Sequence, residues 1–364
     1  MAETSNDLLQ QTSRSFYLTL RVLPGVIRPQ IGLAYLLART TDTIADTELV
    51  PPAQRLEALQ KLRERILGSS PAPLDFGELA RQQGSPAERL LLEKVEDSLA
   101  QLKLLSPADL QLVRAVLDTI TSGQELDLRR FGRWGETTGE PSSTRAARGD
   151  ARPTNQIIAL RTDEELDDYT YRVAGCVGEF WTKLCRAHIF PNAKLNDAQL
   201  LADGVRFGKG LQLVNILRDL PADLSKGRCY LPAERLAAAG LAPGDLLQPD
   251  KAPKLRPLYD RYLDLAGSHL ATGWAYTNAL PWRCVRVRLG CAWPILIGVK
   301  TIERLRAANM LDPRQRIKIS RCEVRWLMAR SVICYPWPTA WRKLAPAPAA
   351  ASGKAVASGV NLTY

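Results

Sequence analysis

YLLARTTDTIAD, Tyr35 to Asp46, is the stretch on which the reading of this chain turns. Tyr35, Arg39, Asp42 and Asp46 follow at spacings of four, three and four, so at ~3.6 residues per turn they share one stripe of a helix. The flanking IGLAYLL is apolar, which sets the stripe at the border of a core rather than in open water. A second stretch, LQLVNILRDLPADLSKGR from Leu211 to Arg228, repeats the arrangement. Here Gln212, Asn215, Asp219 and Asp223 are spaced three, four and four. Arg218 stands beside them, and Lys226 and Arg228 lie just past the end. Two carboxylates on one stripe repel unless a cation lies between them. Mg²⁺ suits the pattern, because it binds through one or two carboxylates and completes its octahedron with water and phosphate oxygens. The flanking arginines would take further phosphate oxygens bidentately. A lone DxxxD helix is ordinarily a solvated face. Two of them, each otherwise apolar and each with an arginine beside its acids, point to a site for a diphosphate.

Outward from these two stretches, helical periodicity dominates. Apolar residues at i, i+3 and i+4 predict helices over Pro29–Thr47, Pro52–Leu67, Pro86–Leu102, Pro107–Gly123, Asp163–His188, Asp197–Asp219, Leu255–Asn278, Leu289–Ala308 and Ser320–Ile333. Proline or a small polar residue opens several of them. Alternating runs of the strand type are nearly absent, and no fixed-period repeat occurs. The expected architecture is one all-α domain over residues 1–343, a helical bundle around a cavity. Residues 132–155, rich in Gly, Pro, Ser, Thr and Arg, read as a long loop, either a lid or a plain connection. Residues 344–364 form a low-complexity tail expected to be disordered.

The 364 residues carry a formal charge of +11, which favours anionic partners: nucleic acid, acidic lipid or phosphorylated small molecules. The basic residues are spread along the chain without aromatic interleaving, so nucleic acid is not an expected partner. Seven scattered cysteines, none in a CxxC pair, and two distant histidines, His188 and His269, argue against a zinc or disulfide framework. A reducing cytosol is the expected location. The N-terminus lacks the basic flank and apolar core of a signal peptide. No run approaches the ~20 apolar residues of a spanning helix, and LGCAWPILIGV reads as a buried helix.

A metal- and arginine-held diphosphate is a good leaving group. An allylic diphosphate that loses it leaves a carbocation, which needs a dry, apolar pocket. The stretch LDDYTYRVAGCVGEFWTKL supplies walls in Val173, Val177 and Phe180. Its Ala174, Gly175 and Gly178 either make room for a long chain or let helices pack closely.

Taken together, SRSF (Ser13, Arg14, Ser15 and Phe16), YLLARTTDTIAD, GQELDL (Gly123–Leu128), DYTYRVAGCVG (Asp168–Gly178) and LQLVNILRDLPADLSKGRCYLP (Leu211–Pro232) resemble, in order, the squalene/phytoene synthases. The resemblance implies an isoprenoid synthase fold, Mg²⁺ as a cofactor and two farnesyl diphosphate molecules as substrate. It casts Asp42, Asp46, Asp219 and Asp223 as carboxylates of the Mg²⁺–diphosphate site, with Asn215 beside them. Ser13, Arg14, Arg39, Arg218 and Arg228 resemble its phosphate ligands, with Ser15, Phe16 and Lys226 close by in the same motifs. Tyr169 falls where the family has a catalytic tyrosine, expected to assist proton removal during cyclopropane formation. Tyr35, Val173, Val177, Leu211, Gln212 and Asn215 look like pocket lining.

The subclass rests on finer features. Eukaryotic squalene synthases carry an extra acid in the first motif, where this chain has Ala45, and Arg172 replaces a frequent aromatic. On the other side, LGCAWPILIGVKTIERL (Leu289–Leu305) is similar to a squalene synthase helix. RQRIKISRCEV (Arg314–Val324) resembles the basic loop near their nicotinamide cofactor. That likeness implies NADPH, with Lys318 and Arg321 at its 2′-phosphate and Arg14, Arg39 and Arg218 near its phosphates. No GxGxxG motif accompanies it. The implied activity is squalene synthase, a Mg²⁺-dependent farnesyl-diphosphate farnesyltransferase. Presqualene diphosphate, dehydrosqualene or phytoene synthase is the alternative. A non-catalytic member would have lost acids, and both pairs are intact. Finally, WLMARSVICYPWPTAWRKL (Trp326–Leu344) mixes Trp, Tyr, Pro and Arg. It reads either as a peripheral contact with the inner face of a membrane or as a core helix followed by a loop.

Overall fold

Cap residues set where the helices begin. Ser106 Oγ accepts from Asp109 N (3.2 Å) ahead of Pro107, Asn196 Oδ1 accepts from Gln199 N (3.1 Å), and Ser320 and Glu323 form a reciprocal box. In the computed structural model, which describes residues 8, 9, 16–47, 49–83, 85–132 and 157–345, the chain is all-α. The helices are α1 (Phe16–Val22), α2 (Arg28–Asp46), α3 (Pro52–Leu67), α4 (Gly77–Arg81), α5 (Pro86–Glu93), α6 (Val95–Leu102) and α7 (Pro107–Phe131). After the segment 133–156, which lies outside the described residues, come α8 (Asp163–Thr170), α9 (Cys176–His188), α10 (Asp197–Ser225) and α11 (Ala233–Ala238). The last are α12 (Ala252–Ala279), α13 (Val285–Ala307), α14 (Arg321–Cys334) and α15 (Pro338–Arg342). Two short strands, β1 (Ile158–Ala159) and β2 (Arg228–Cys229), pair in parallel with Ile158 opposite Arg228.

Two apolar cores hold the bundle. One gathers α2, α3, α6, α7 and α9; the other gathers α10, α12, α13 and the aromatic corner of Tyr335 and Trp341. Phe207 on α10 touches both. The space left between the cores becomes the site.

Several boundaries differ from the sequence reading. The predicted helix 86–102 breaks at Lys94, with no Pro or Gly to announce it. The helix expected to stop at Gly123 runs on to Phe131, because Gly123 marks a close approach rather than an end. A Cβ there would lie 2.9 Å from Arg172 Cβ. The helix expected to stop at Asp219 runs through Pro221 to Ser225. Proline removes the amide that would bond Leu217 O, and the buried Tyr259 hydroxyl donates to that carbonyl instead (2.9 Å). Gly227, at φ +76°, then turns the chain out of α10 into β2.

Between α8 and α9, Tyr171–Gly175 forms a π-turn. Such turns concentrate at functional sites. Its wider winding keeps Tyr169, Val173 and Val177 on one side, facing the space between the cores. The seven cysteines are free thiols, and LGCAWPILIGV is buried as expected. Among the described residues, no helix is long and apolar enough to cross a membrane.

Candidate active site

Three helices bring acids to one mouth of about 550 Å³. Along its stripe, α2 presents Tyr35, Arg39, Asp42 and Asp46. From α10 come Gln212, Asn215, Asp219 and Asp223. A third ridge, Gln124 and Asp127 on α7, faces them, and Tyr169, Lys226, Arg228 and Tyr230 close the ring. The parallel pairing of β2 with β1 holds Arg228 in place. Its guanidinium stands 3.9 Å from Asp46 and 4.0 Å from Asp127, so it bridges the first and third ridges. Arg39 pairs with Asp42 and, at 2.6 Å, with Glu88 of α5. Arg218 Nε lies 2.9 Å from Asp219.

The mouth is short of positive charge. Five aspartates line it against three cations, and three of the carboxyls are pushed up towards neutrality. Asp42 rises to about 6, because the surrounding protein strips its hydration and Asp46 repels it. Solvent still reaches 43 % of its side chain through the opening. Asp223 rises to about 7 through burial and the neighbouring Asp219. Asp127 rises to about 6 through burial, against the pull of Tyr230 and Arg228. Tyr230 donates to Asp127 Oδ2 (2.7 Å) and stacks on Tyr169 with ring centres 4.6 Å apart. Burial and the charge of Asp127 hold the Tyr169 phenol well above its ordinary value.

Among the described residues, two buried acceptors, Gln124 Oε1 and Asp127 Oδ1, find no donor. Buried acceptors call for partners, here water or a ligand's donors. Among the described residues, no three acidic, histidine or cysteine side chains converge as a ready metal cage. The donors are instead a few carboxylates on facing ridges, with room between them. That is the set a hydrated cation takes when phosphate oxygens supply the rest of its shell.

A second, mainly apolar cavity of about 1240 Å³ opens from the mouth, sharing Tyr35, Val173, Val177, Asn215 and Asp219 with it. That exceeds the ~300–1,000 Å³ of ordinary small-molecule pockets. Phe207 and Leu211 of α10, Trp181 of α9, and Trp293 and Ile297 of α13 line it, and Arg316 and Lys318 also border it. Of the small residues weighed for room or close packing, Ala174 and Gly178 line the cavity and Gly175 does not. Gly178 also lets backbones touch, as do Gly204 and Gly208 of α10, which were not singled out. A Cβ on Gly178 would sit 1.9 Å from Gly204 O, and one on Gly208 2.1 Å from Ala174 O.

Most of the expected site residues meet in these two spaces. Leu211, Arg218 and Lys318 line the apolar cavity; Arg39, Gln212, Lys226 and Arg228 line the mouth. Arg321 stands exposed at the start of α14 and lines neither space. Ser13, Arg14, Ser15 and the Phe16 side chain lie outside the described residues. Phe180 is buried in the first core and does not line the cavity. Arg172 turns away from the cavity, bonded to Asp168 (2.8 Å) and to Ser122 Oγ (3.0 Å). Gln124, Asp127, Tyr230 and Glu88 were not singled out from the sequence. The first two sit in GQELDL and Tyr230 in RCYLP, so the motif match was the available signal.

A model of the squalene/phytoene synthase family matches residues 9–323. The chain belongs to this family. Membership accounts for the single all-α isoprenoid synthase domain and for the order of its motifs. Among relatives, the bifunctional lycopene cyclase/phytoene synthase of Gibberella fujikuroi is 31% identical over 269 residues, 71% of this chain and 40% of that protein. The chain therefore spans less than half the length of that relative. The presqualene diphosphate synthase of Sinorhizobium fredii is 28% identical over 323 residues, 87% of this chain and 92% of that one. The squalene synthase HpnC of Alicyclobacillus acidocaldarius superposes with a TM-score of 0.58 at 18% identity, covering 84% of this chain and 93% of that one. The last likeness is one of fold.

Proposed function

We propose that the protein is a squalene synthase. It would condense two farnesyl diphosphates head to head into presqualene diphosphate and reduce that to squalene with NADPH. The observation that carries this reading is the continuity of an acid-lined mouth with a larger apolar cavity that Arg218, Arg316 and Lys318 also border. A diphosphate belongs in the first, two prenyl tails fit the second, and a reductant with its own phosphates would approach along the basic border.

Mg²⁺ held by Asp42, Asp46, Asn215, Asp219 and Asp223 would supply Lewis-acid neutralisation of the leaving diphosphate. Arg39, Arg218 and Arg228 now neutralise those acids pairwise, and they are placed to turn to phosphate oxygens when a substrate arrives. Glu88 keeps Arg39 aimed into the mouth. When the allylic C–O bond breaks, Val173, Val177, Phe207 and Leu211 keep water from the cation. Tyr169 retains its proton at neutral pH. It therefore acts as a hydrogen-bond donor that positions the base removing the cyclopropane proton, and Tyr230 fixes its ring. A second ionisation and rearrangement would follow, and NADPH, when bound, would supply the hydride that quenches the final cation. Arg218 and Lys318, which share the apolar cavity, are the cofactor-side residues; Arg321 would reach the cofactor only from outside it.

The names of the relatives favour a second reading, in which the reaction stops at presqualene diphosphate or ends as phytoene or dehydrosqualene. Purified protein incubated with farnesyl diphosphate and Mg²⁺, with and without NADPH, separates the two by product analysis. Squalene appearing only with NADPH supports the proposal. A product identity indifferent to NADPH refutes the reductive step, and no product from farnesyl diphosphate refutes the substrate.

A further inference from the structure

Helix α14 is apolar on two opposite faces. Val324, Met328, Ser331 and Tyr335, at spacings of four, three and four, point inward. Val324 and Met328 line the apolar cavity, Ser331 accepts from Trp293 Nε1 (2.9 Å), and Tyr335 is buried against Trp282 and Trp341. The other face carries Trp326, Arg330 and Ile333, at spacings of four and three, and Trp337 follows at the start of α15. Trp326 is 57% exposed, Ile333 65% and Trp337 59%, with Val332 beside them. Of the whole helix, only Ser331 is fully buried. Of the two readings of this segment, a core helix describes its inner face, where Leu327 and Met328 pack against the second core. Water-facing tryptophan and isoleucine in one patch demand a partner that covers them.

The charge around the patch narrows the choice. Between residues 321 and 345 the sequence holds Arg321, Arg325, Arg330, Arg342 and Lys343 against one acid, Glu323, and that acid is engaged by Arg304 at 2.6 Å. The adjoining turn adds Arg283 and Arg286 with exposed Trp282 and Val285. Arg330 lies over the Trp326 ring, 5.1 Å from its centre. Tryptophans among arginines on the outer side of a surface helix match the headgroup zone of an anionic bilayer: rings in the interface, guanidiniums at the phosphates. A second copy of this chain would set the same cations against one another.

We propose that α14 and the start of α15 dock on a negatively charged lipid surface. The wall of the apolar cavity then lies one helix diameter, ~10 Å, from the bilayer. The docking itself does not depend on which product the enzyme makes, and its test reads binding rather than turnover.

The full chain is floated with vesicles of phosphatidylcholine alone and with vesicles about one-third phosphatidylglycerol. Binding to the anionic vesicles is expected to be at least about tenfold stronger than to the neutral ones and to weaken in high salt. Two variants, Trp326→Ser/Ile333→Ser/Trp337→Ser and Arg325→Glu/Arg330→Glu, are each expected to lose about tenfold or more of that binding. Both should keep the melting temperature and the turnover of detergent-dispersed substrate. Variants that float as well as the parent overturn the proposal, as does a parent that binds neither vesicle. A dimer in solution that the triple variant breaks, without flotation of the parent, assigns the face to a second copy and overturns it too.

Discussion

The mouth and the cavity share five residues and one long helix, α10, yet they are built on opposite principles. In the mouth, carboxyls crowd until three of them resist ionisation, and guanidiniums pair with neighbours they would have to leave. In the cavity, glycines press backbone on backbone and aromatic rings fill the gaps. One region spends stability on charge that only a ligand relieves; the other gains it from shape. The lesson is that two kinds of lining share a single helix: glycines and apolar side chains in the N-terminal half of α10, and acids on one stripe of its C-terminal half. The other side of that C-terminal half still packs into the second core.

If that division holds, removing charge and removing fit should have opposite consequences. Asp42→Ala or Asp219→Ala is expected to lower product formation from farnesyl diphosphate by about 10³-fold or more, because the leaving group loses its clamp. The metal-free melting temperature should hold or rise. A fall comparable to that of a core variant would show that the acids hold the fold together. Gly178→Ala tests the other side. Its Cβ meets Gly204 O at 1.9 Å, so α9 and α10 must separate, at a cost of about 3 kcal/mol read as a lowered denaturation midpoint. A neutral outcome would mean that the close approach is incidental. Tyr259→Phe should cost about 1–3 kcal/mol, since Leu217 O loses the donor that replaces the amide missing at Pro221.

The last effect is one of pH. Asp42, Asp127 and Asp223 titrate at about 6, 6 and 7 when folded, all above the ordinary aspartate value of 3.8. The folded state therefore holds more protons than the unfolded one between about pH 4 and 7. Stability falls as pH rises through that window and levels off above it. In chelator, the melting temperature should fall from pH 5 to pH 8, and Asp223→Asn should flatten the slope. Mg²⁺ should raise the melting temperature more at pH 8 than at pH 5. Equal gains at both would uncouple the cation from these carboxyls.

How far the sequence revealed this arrangement depended on range. The ridges of α2 and α10 were legible because four polar groups at helical spacing in an apolar background leave a local trace. Asp127 left none: in GQELDLRR it is one charge among several, and only the neighbouring Tyr230 and Arg228, a hundred residues away, make it part of the mouth. Gly123 and Pro221 read locally as stops. The structure carries both helices through, because a close contact needs the glycine and a distant tyrosine compensates the proline. The two-faced nature of α14 was half legible. Its tryptophans and arginines suggested an interface, but which side faced water was decided by what packs beneath it.

The glycine seam between α9 and α10 also limits how the enzyme could change its substrate. A wall made of main chain has no side chain left to shorten, so a longer lipid tail cannot be accommodated there by trimming. Any lengthening of the pocket has to come from side chains with bulk to give up: Trp181, Phe207 and Leu211 beside the seam, and Trp293, Ile297 and Met328 on α13 and α14.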